Sequence, residues 1–298
     1  MSRPPPVWRS LLYVPAHVPR FVEKAHLRGA DCIQLDLEDS VPPGEKARAR
    51  AGVAVAAALV RRGANDVLVR INAQLSMAVP DIQAAVCPDI DGLVITKARG
   101  PEHIRLLDEL VSECEAAAGM EVGRLWFNVL VETPEALPQA RSIAESCPRI
   151  VAMSLGAEDF ATAIGAEPTE EALWTTKQMA LFAARAAGVM PVGLVGSLAQ
   201  FDDPAAFQAM AERSRRLGFE GAGCINPAHV APLNAAFTPG ADEVAYARRV
   251  IAADAEGRAA GRGAVALEGR MIDVPIVRRA ERLLARHAAI ARRVAGTH

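Results

Sequence analysis

CIQLDLEDSV (residues 32–41) alternates apolar and polar residues and ends with three carboxylates in four positions. Side chains point alternately to opposite faces of a strand. Ile33, Leu35 and Leu37 therefore share one face, and Gln34, Asp36 and Glu38 share the other. Asp39 falls in the turn that follows, where it reads as a cap or a partner of Lys46 or Arg48. If the apolar face meets a layer of helices, the polar face must point into a barrel. Barrel interiors are normally filled by bulky apolar residues, and the active site lies at the C-terminal strand ends. Two inward carboxylates at that end are costly unless they are paired or bind a metal.

The rest of the chain supplies the barrel. Short β-branched or Leu-rich runs recur at 10–14, 32–37, 66–71, 91–96, 125–131, 149–155, 190–195 and 221–226. Helical patterns separate them at 18–29, 44–62, 101–118, 134–146, 170–187 and 203–217. Strands alternating with helices imply βαβ units and a parallel sheet. Eight such units over roughly 230 residues fit an α/β fold of the (β/α)₈ type, a TIM barrel. A doubly wound sheet is the alternative, but YVPAHVPR (13–20) is not the glycine fingerprint that its first strand would carry. Thr133 and Pro134 read as the start of a helix, and Gly188 and Gly218 as helix ends. Residues 1–240 are assigned to the barrel and 241–298 to a C-terminal helical extension. The extension holds a helix over 241–262, a Gly-rich strand-like or irregular stretch GAVALEGRMIDVP (263–275) and a basic final helix.

The same alternation brings further charge to the barrel mouth. Arg70 ends the inward face of the third strand, and Glu132 ends that of the fifth. Glu158 and Asp159 follow Gly156 just past the sixth. Oxygen ligands without His or Cys suit a hard ion such as Mg²⁺, which uses one or two carboxylates and keeps room for substrate oxygens. The six histidines are scattered and disfavour zinc. Lys97, at the end of the fourth strand, is the one tempting Schiff-base lysine, but the carboxylate set already accounts for a metal site.

Composition narrows the function classes. The 298 residues are 51% apolar and 23% charged, with net charge −2. That balance gives no electrostatic footprint for nucleic acid. No apolar run reaches the roughly 18 residues of a membrane span. MSRPPPVWRS at the start lacks the apolar core of a secretory signal. Five scattered cysteines, without metal spacing, point to free thiols and a cytoplasmic location.

An ordered set of strings resembles the HpcH/HpaI aldolase/citrate lyase family, in particular its citrate lyase β-subunit-like members and the malyl-CoA and citramalyl-CoA lyases. The set is RSLLYVPAHVPRFVEKA (9–25), GADCIQLDLEDSVPPGEKARAR (29–50), VRIN (69–72), VETPEAL (131–137), GAEDF (156–160), RRLGFEGAGCINPAHVAPLNAAFTP (215–239) and GRMIDVPIVRRA (269–280). The resemblance implies a trimeric or hexameric (β/α)₈ enzyme with Mg²⁺, or Mn²⁺, at the barrel mouth. It implies Glu132 and Asp159 as metal ligands, with Asp36 and Glu38 holding metal-bound water. Arg70 would contact the oxygen on which negative charge develops. Asp273 would be the acid/base, reaching a neighbouring subunit's site from the extension. Tyr13, Arg20 and Lys24 would lie where CoA binds. The implied reaction cleaves or forms a short 3-hydroxyacyl-CoA thioester, such as malyl-CoA or citramalyl-CoA, giving acetyl-CoA and a 2-oxo acid. Ala16, His17, Thr96 and Asn226 depart from the common family pattern. The alternatives are a class II pyruvate aldolase acting on hydroxy-oxo acids, a citrate lyase β subunit acting on a carrier-protein thioester, and a barrel kept as a non-catalytic subunit.

Overall fold

A computed structural model of the chain describes residues 4–196, 203–261 and 263–296. The chain divides into two compact units, Met1–Phe237 and Thr238–His298. In the first, β1 (Ser10–Pro15) leads to α1 (Pro19–Ala25), and β2 (Cys32–Asp36) to α2 (Lys46–Val60). Then β3 (Asp66–Ile71) leads to α3 (Leu75–Ala85), β4 (Gly92–Ile95) to α4 (Pro101–Ala117), and β5 (Trp126–Val131) to α5 (Ala140–Ala144). Finally β6 (Ile150–Leu155) precedes α6 (Ala157–Ala163) and α7 (Glu170–Ala187), β7 (Met190–Val192) precedes α8 (Pro204–Leu217), and β8 (Ala222–Cys224) precedes α9 (Val230–Ala236).

The strands pair in parallel in the order β7-β6-β5-β4-β3-β2-β1-β8. A parallel bridge from Val192 to Gly221 brings the two ends of that order together. This is the (β/α)₈ barrel expected from the strand rhythm, and not a doubly wound sheet. The pleat sorts side chains as the alternation requires. Ile33, Leu35 and Leu37, with Val67, Val69, Phe127 and Val129, pack outward among the helices. Trp8, Leu11, Cys32, Leu68, Val94, Trp126, Leu130 and Met190 fill the interior. There the rings of Trp8 and Trp126 meet edge to face at 5.9 Å.

Several helices differ from the sequence pattern. The segment expected as a helix over 134–146 holds only a 3₁₀ turn (Leu137–Gln139) and the five residues of α5. Thr133 Oγ1 accepts from the Ala136 N–H at 3.3 Å, so it caps a turn and not a helix. The pattern also passed over α3, because Pro80 lies inside it. Proline lacks the N–H of the helical ladder and normally ends a helix. Gly188 and Gly218 do close α7 and α8, in the left-handed conformation.

The second unit contains α10 (Ala241–Ala259), a hairpin of β9 (Val265–Leu267) and β10 (Arg270–Ile272), and α11 (Val274–Ala295). The helix pattern over 241–262 runs past the end of α10, and Arg262 lies outside the described residues. Glu268 and Gly269, both at positive φ, form the two-residue hairpin turn. The unit's own small core joins Ala247, Val250, Ile272, Val277 and Ala280. Asp273 caps α11 by accepting from the Ile276 N–H at 3.4 Å.

At the base of the barrel, Arg149 is buried against Glu115 of α4. Its Nη1 and Nη2 donate to Glu115 Oε1 and Oε2 at 2.9 and 2.7 Å. Glu115 also accepts from the N–H groups of Gly123 and Leu125. Removing one partner of such a pair strands a buried charge. Arg149→Met is expected to cost about 3–5 kcal/mol in urea unfolding, and adding Glu115→Leu should restore much of it. A loss below about 1 kcal/mol for Arg149→Met would show that the clamp is not structural.

Candidate active site

The strand ends deliver their charges to one cavity of about 520 Å³. Tyr13, Asp36, Arg70, Leu130, Glu132, Gly156 and Asp159 line it, and Phe21, Arg28 and Ile225 add an outer wall. Its size is typical of a small-molecule site.

Arg70 answers the crowding of carboxylates after β2. Its Nε and Nη2 donate to Asp36 Oδ1 and Oδ2 at 2.7 and 2.6 Å, a bidentate pair. The same carboxylate accepts from the N–H groups of Glu38 (2.8 Å) and Ser40 (3.2 Å). Burial pushes the Asp36 pKa up, but Arg70 and these donors outweigh it and hold the carboxyl below its ordinary value. The guanidinium lies over the Tyr13 ring at 4.8 Å, and its Nη1 is 3.0 Å from Glu38 Oε2. Arg70 therefore presents a fixed cation to the cavity.

Lys97 compensates the other side. Its Nζ donates to Glu38 Oε1 at 2.8 Å and lies 3.4 Å from Asp159 Oδ1 and 3.6 Å from Asp39 Oδ2. Asp39 is thus exposed at the mouth, with Lys97 and Arg70 as its charged neighbours, and does not pair with Lys46 or Arg48. Lys46 instead donates to the carbonyls of Leu37 and Glu38, and Arg48 to Glu45. Burial lowers the Lys97 pKa, but Glu38, Asp159 and Asp39 together raise it above the ordinary lysine value. A Schiff-base lysine needs the neutral amine, so the ion pairs disfavour that chemistry.

Glu132 is the least compensated group. It is buried, and its Oε2 accepts from the backbone N–H of Lys97 at 2.5 Å. Lys97 holds that N–H in place from the left-handed region, at φ 47°. Burial first, then the charges of Glu38 and Asp159, push the Glu132 carboxyl up to about 7. Gly156 makes room for it: a Cβ there would lie 2.2 Å from Glu132 Oε1. Glu132 and Asp159 are the oxygen donors here that could share a hard cation. Among the described residues, no cluster of three or more His, Cys, Asp or Glu is arranged to hold a metal. An ion held by two carboxylates, water and substrate needs no such cluster.

The CoA-side expectations fall in two places. Tyr13 lies inside the cavity beneath Arg70, and burial raises its phenol pKa. Arg20 and Lys24 are exposed on α1, next to the cavity residues Phe21, Ala25 and Arg28. Asp273 belongs to the second unit and is half-buried at the start of α11. Sequence reading missed the roles of Lys97, Lys46 and Gly156. Only a lysine at the end of a barrel strand and a glycine ahead of GAEDF's acidic pair could have signalled them.

A family model described as HpcH/HpaI aldolase/citrate lyase matches residues 9–227. The chain belongs to the HpcH/HpaI aldolase/citrate lyase family. Its relatives in this family include the L-malyl-CoA/β-methylmalyl-CoA lyase of Cereibacter sphaeroides, 34% identical over 92% of each chain. Citrate lyase subunit beta of Leuconostoc mesenteroides subsp. cremoris is 32% identical over 93% of this chain and 92% of its own. Among solved structures, CitE from Mycobacterium tuberculosis in complex with magnesium, acetoacetate and coenzyme A superposes with a TM-score of 0.74. It is 26% identical, over 96% of this chain and 99% of that one. The family and these relatives make the chain a carbon–carbon lyase.

The state of Glu132 gives a test free of substrate. In the folded, metal-free chain it titrates near 7, whereas an unfolded glutamate titrates near 4.3. The folded state therefore holds a proton that the unfolded chain releases. Its contribution to stability is full below the unfolded pKa and is lost as pH rises through the folded one. With chelator present, Glu132→Gln and the parent should melt alike at pH 4.5. At pH 8 the variant should be the more stable by a few kcal/mol at most, since each tenfold change in proton affinity is worth about 1.4 kcal/mol. A melting difference that does not change with pH would show that Glu132 is not raised.

Proposed function

We propose that the protein is a Mg²⁺-dependent lyase that cleaves or forms a short 3-hydroxyacyl-CoA thioester, such as malyl-CoA or citramalyl-CoA. The products of cleavage are acetyl-CoA and a 2-oxo acid. The observation that carries this reading is the shared cavity, with Arg70 fixed on one side and the under-compensated Glu132 on the other. The named ligands of the CitE structure, magnesium, acetoacetate and coenzyme A, support it.

The donor set fits Mg²⁺, with Mn²⁺ as a substitute: all oxygen, and a buried carboxyl raised by burial and by the charges of Glu38 and Asp159. Glu132 and Asp159 would hold the ion. When bound, it supplies a Lewis acid and template for the carboxylate and hydroxyl oxygens of the substrate. The chain's own residues do the rest. Cleavage breaks the bond between the carbinol carbon and the carbon next to the thioester. The electron pair passes to the thioester as an enolate, and the hydroxyl passes its proton to solvent water as the 2-oxo acid forms. Arg70 is oriented by Asp36 and Glu38 to offer positive charge where the enolate oxygen develops. Asp273 gives a proton to the enolate carbon, or removes one in the condensation direction. Asp36 and Glu38 would also orient water around the ion when it is bound. Tyr13, Arg20, Lys24 and the α1 face flank the CoA entrance.

In this reading the extension, residues 241–298, serves a homotrimer or hexamer, and its Asp273 completes the site of a neighbouring copy. The five free thiols suit the cytoplasm. Citrate lyase subunit beta matches at nearly the same identity and coverage as the malyl-CoA lyase. That favours one second reading, the same cleavage on a carrier-protein thioester.

Turnover of malyl-, citramalyl- and citryl-CoA with Mg²⁺ is followed by release of the 2-oxo acid. Asp273→Asn should lose about 10²–10⁴-fold in kcat while Mg²⁺ binding is unchanged. Mixing Asp273→Ala with Arg70→Ala protein should restore part of the activity through hybrid sites. No recovery, despite demonstrated subunit exchange, would rule out the shared site. Greater activity on free hydroxy-oxo acids than on any thioester would instead indicate the pyruvate-aldolase chemistry.

A further inference from the structure

Below the catalytic cavity lies a second, smaller chamber of about 110 Å³. The two share Tyr13, Leu130, Gly156 and Ala157 as walls. Leu130 is two residues before Glu132 on the same inward face of β5, so the chamber begins about 7 Å beneath the proposed metal ligand. Barrel interiors at this depth are normally apolar. Here Gln34, Asn128, Ser154 and Lys177 line the space.

Gln34, Asn128 and Lys177 are buried and Ser154 is half-buried. Gln34 and Asn128 are each 1% exposed, and Lys177 is 4% exposed. Asn128 Nδ2 donates to Gln34 Oε1 at 3.4 Å, while Asn128 Oδ1 has no hydrogen-bond partner. Turning both amides over together keeps their mutual bond and makes the unpartnered atom a donor. Lys177 enters from α7 and donates to the carbonyls of Val195 (2.9 Å) and Gly196 (2.7 Å). An ammonium has three donors, and these carbonyls take two. Burial pushes the lysine down to about 8, against the charges of Glu170 and Glu158, so it remains mostly cationic at pH 7. The chamber thus offers an ammonium proton, an amide and a hydroxyl, with no carboxylate among the described residues that line it.

We propose that this chamber is the subsite for the substituent on the carbinol carbon of the substrate, and that it selects a substituent ending in a carboxylate. Lys177, Asn128 and Ser154 recognise that carboxylate, while Glu132, Asp159 and Arg70 handle the reacting atoms above. The inference rests on the carbon–carbon lyase reading, and within it points away from malyl-CoA and citramalyl-CoA to thioesters, such as citryl-CoA, whose 2-oxo acid product carries a second carboxylate. A methyl or hydrogen substituent would leave the buried polar groups without a ligand partner, which costs affinity.

The test is calorimetric binding of freshly prepared oxaloacetate, 2-oxobutyrate and pyruvate to the full chain with Mg²⁺. 2-Oxobutyrate carries a methyl where oxaloacetate carries its distal carboxylate. Oxaloacetate should bind at least about tenfold more tightly than 2-oxobutyrate. Lys177→Met should remove that advantage and leave pyruvate affinity unchanged, and Lys177→Arg should retain part of it. Should Lys177→Met fail to fold, Ser154→Leu, which fills the chamber from a half-buried position, should remove the same advantage. Equal affinities for oxaloacetate and 2-oxobutyrate in the parent chain, or an equal loss for all three acids in the variants, would overturn the subsite and leave the lyase reading standing. Failure of all three acids to bind would overturn both.

Discussion

The bidentate Arg70–Asp36 pair is the interaction on which the barrel mouth depends. Asp36 is 1% exposed at the end of β2, and an isolated carboxylate there would be strongly disfavoured. Arg70, one strand over and opposite Asp36 in the parallel register, brings its guanidinium to it. Neither residue is tolerable inside the barrel without the other. Tyr13 below and Glu38 beside then leave the guanidinium little freedom. A cation held this firmly can stabilise developing charge without reorganising when that charge appears.

Compensation is uneven around the ring of strands. Asp36 is held ionised, Glu38 shares Arg70 and Lys97, and Glu132 has, among the described residues, only a backbone N–H within hydrogen-bond reach. The deficit grows from β2 toward β5, so the mouth has a charged, fixed side and a side open to an added cation. Lys97 stands between them and touches carboxylates of both. Its left-handed backbone aims the N–H at Glu132 while the side chain turns toward Glu38. Such a conformation costs a non-glycine residue free energy and persists where the surroundings over-determine it.

Much of the fold was legible because a strand's two faces carry separate information. In β2, Ile33, Leu35 and Leu37 against Gln34, Asp36 and Glu38 gave the direction of the core, and the eight-fold recurrence gave the closure. The losses have local causes. Pro80 hid α3, since a proline inside a helix reads as a stop. The segment after Glu132 looked helical by composition, yet Thr133 and Pro134 spend it on turns. Asp39 was assigned to helix partners by proximity in sequence, while its actual neighbours, Arg70 and Lys97, come from other strands. The Arg149–Glu115 clamp was invisible for the same reason. A pair separated by 34 positions leaves no periodic trace.

The interior layer makes the same point from the other direction. Gln34 and Asn128 were read only as members of an inward face, subordinate to the carboxylates further along each strand. In the barrel the two amides meet, although 94 residues separate them, because the inward faces of β2 and β5 both point into the interior. Two buried amides and an ammonium from a flanking helix cannot be explained by packing, which any set of leucines would do better. On the proposed reading they would place polar recognition beneath the groups at the mouth. In a barrel lyase the carbinol carbon must carry whatever distinguishes one 2-oxo acid from another. Chemistry and selectivity would then divide by depth along the same strands, with Glu132 above Leu130 and Asn128 below it on β5. Substitutions in the lower layer could change the acid released while leaving the mouth's charge pattern intact.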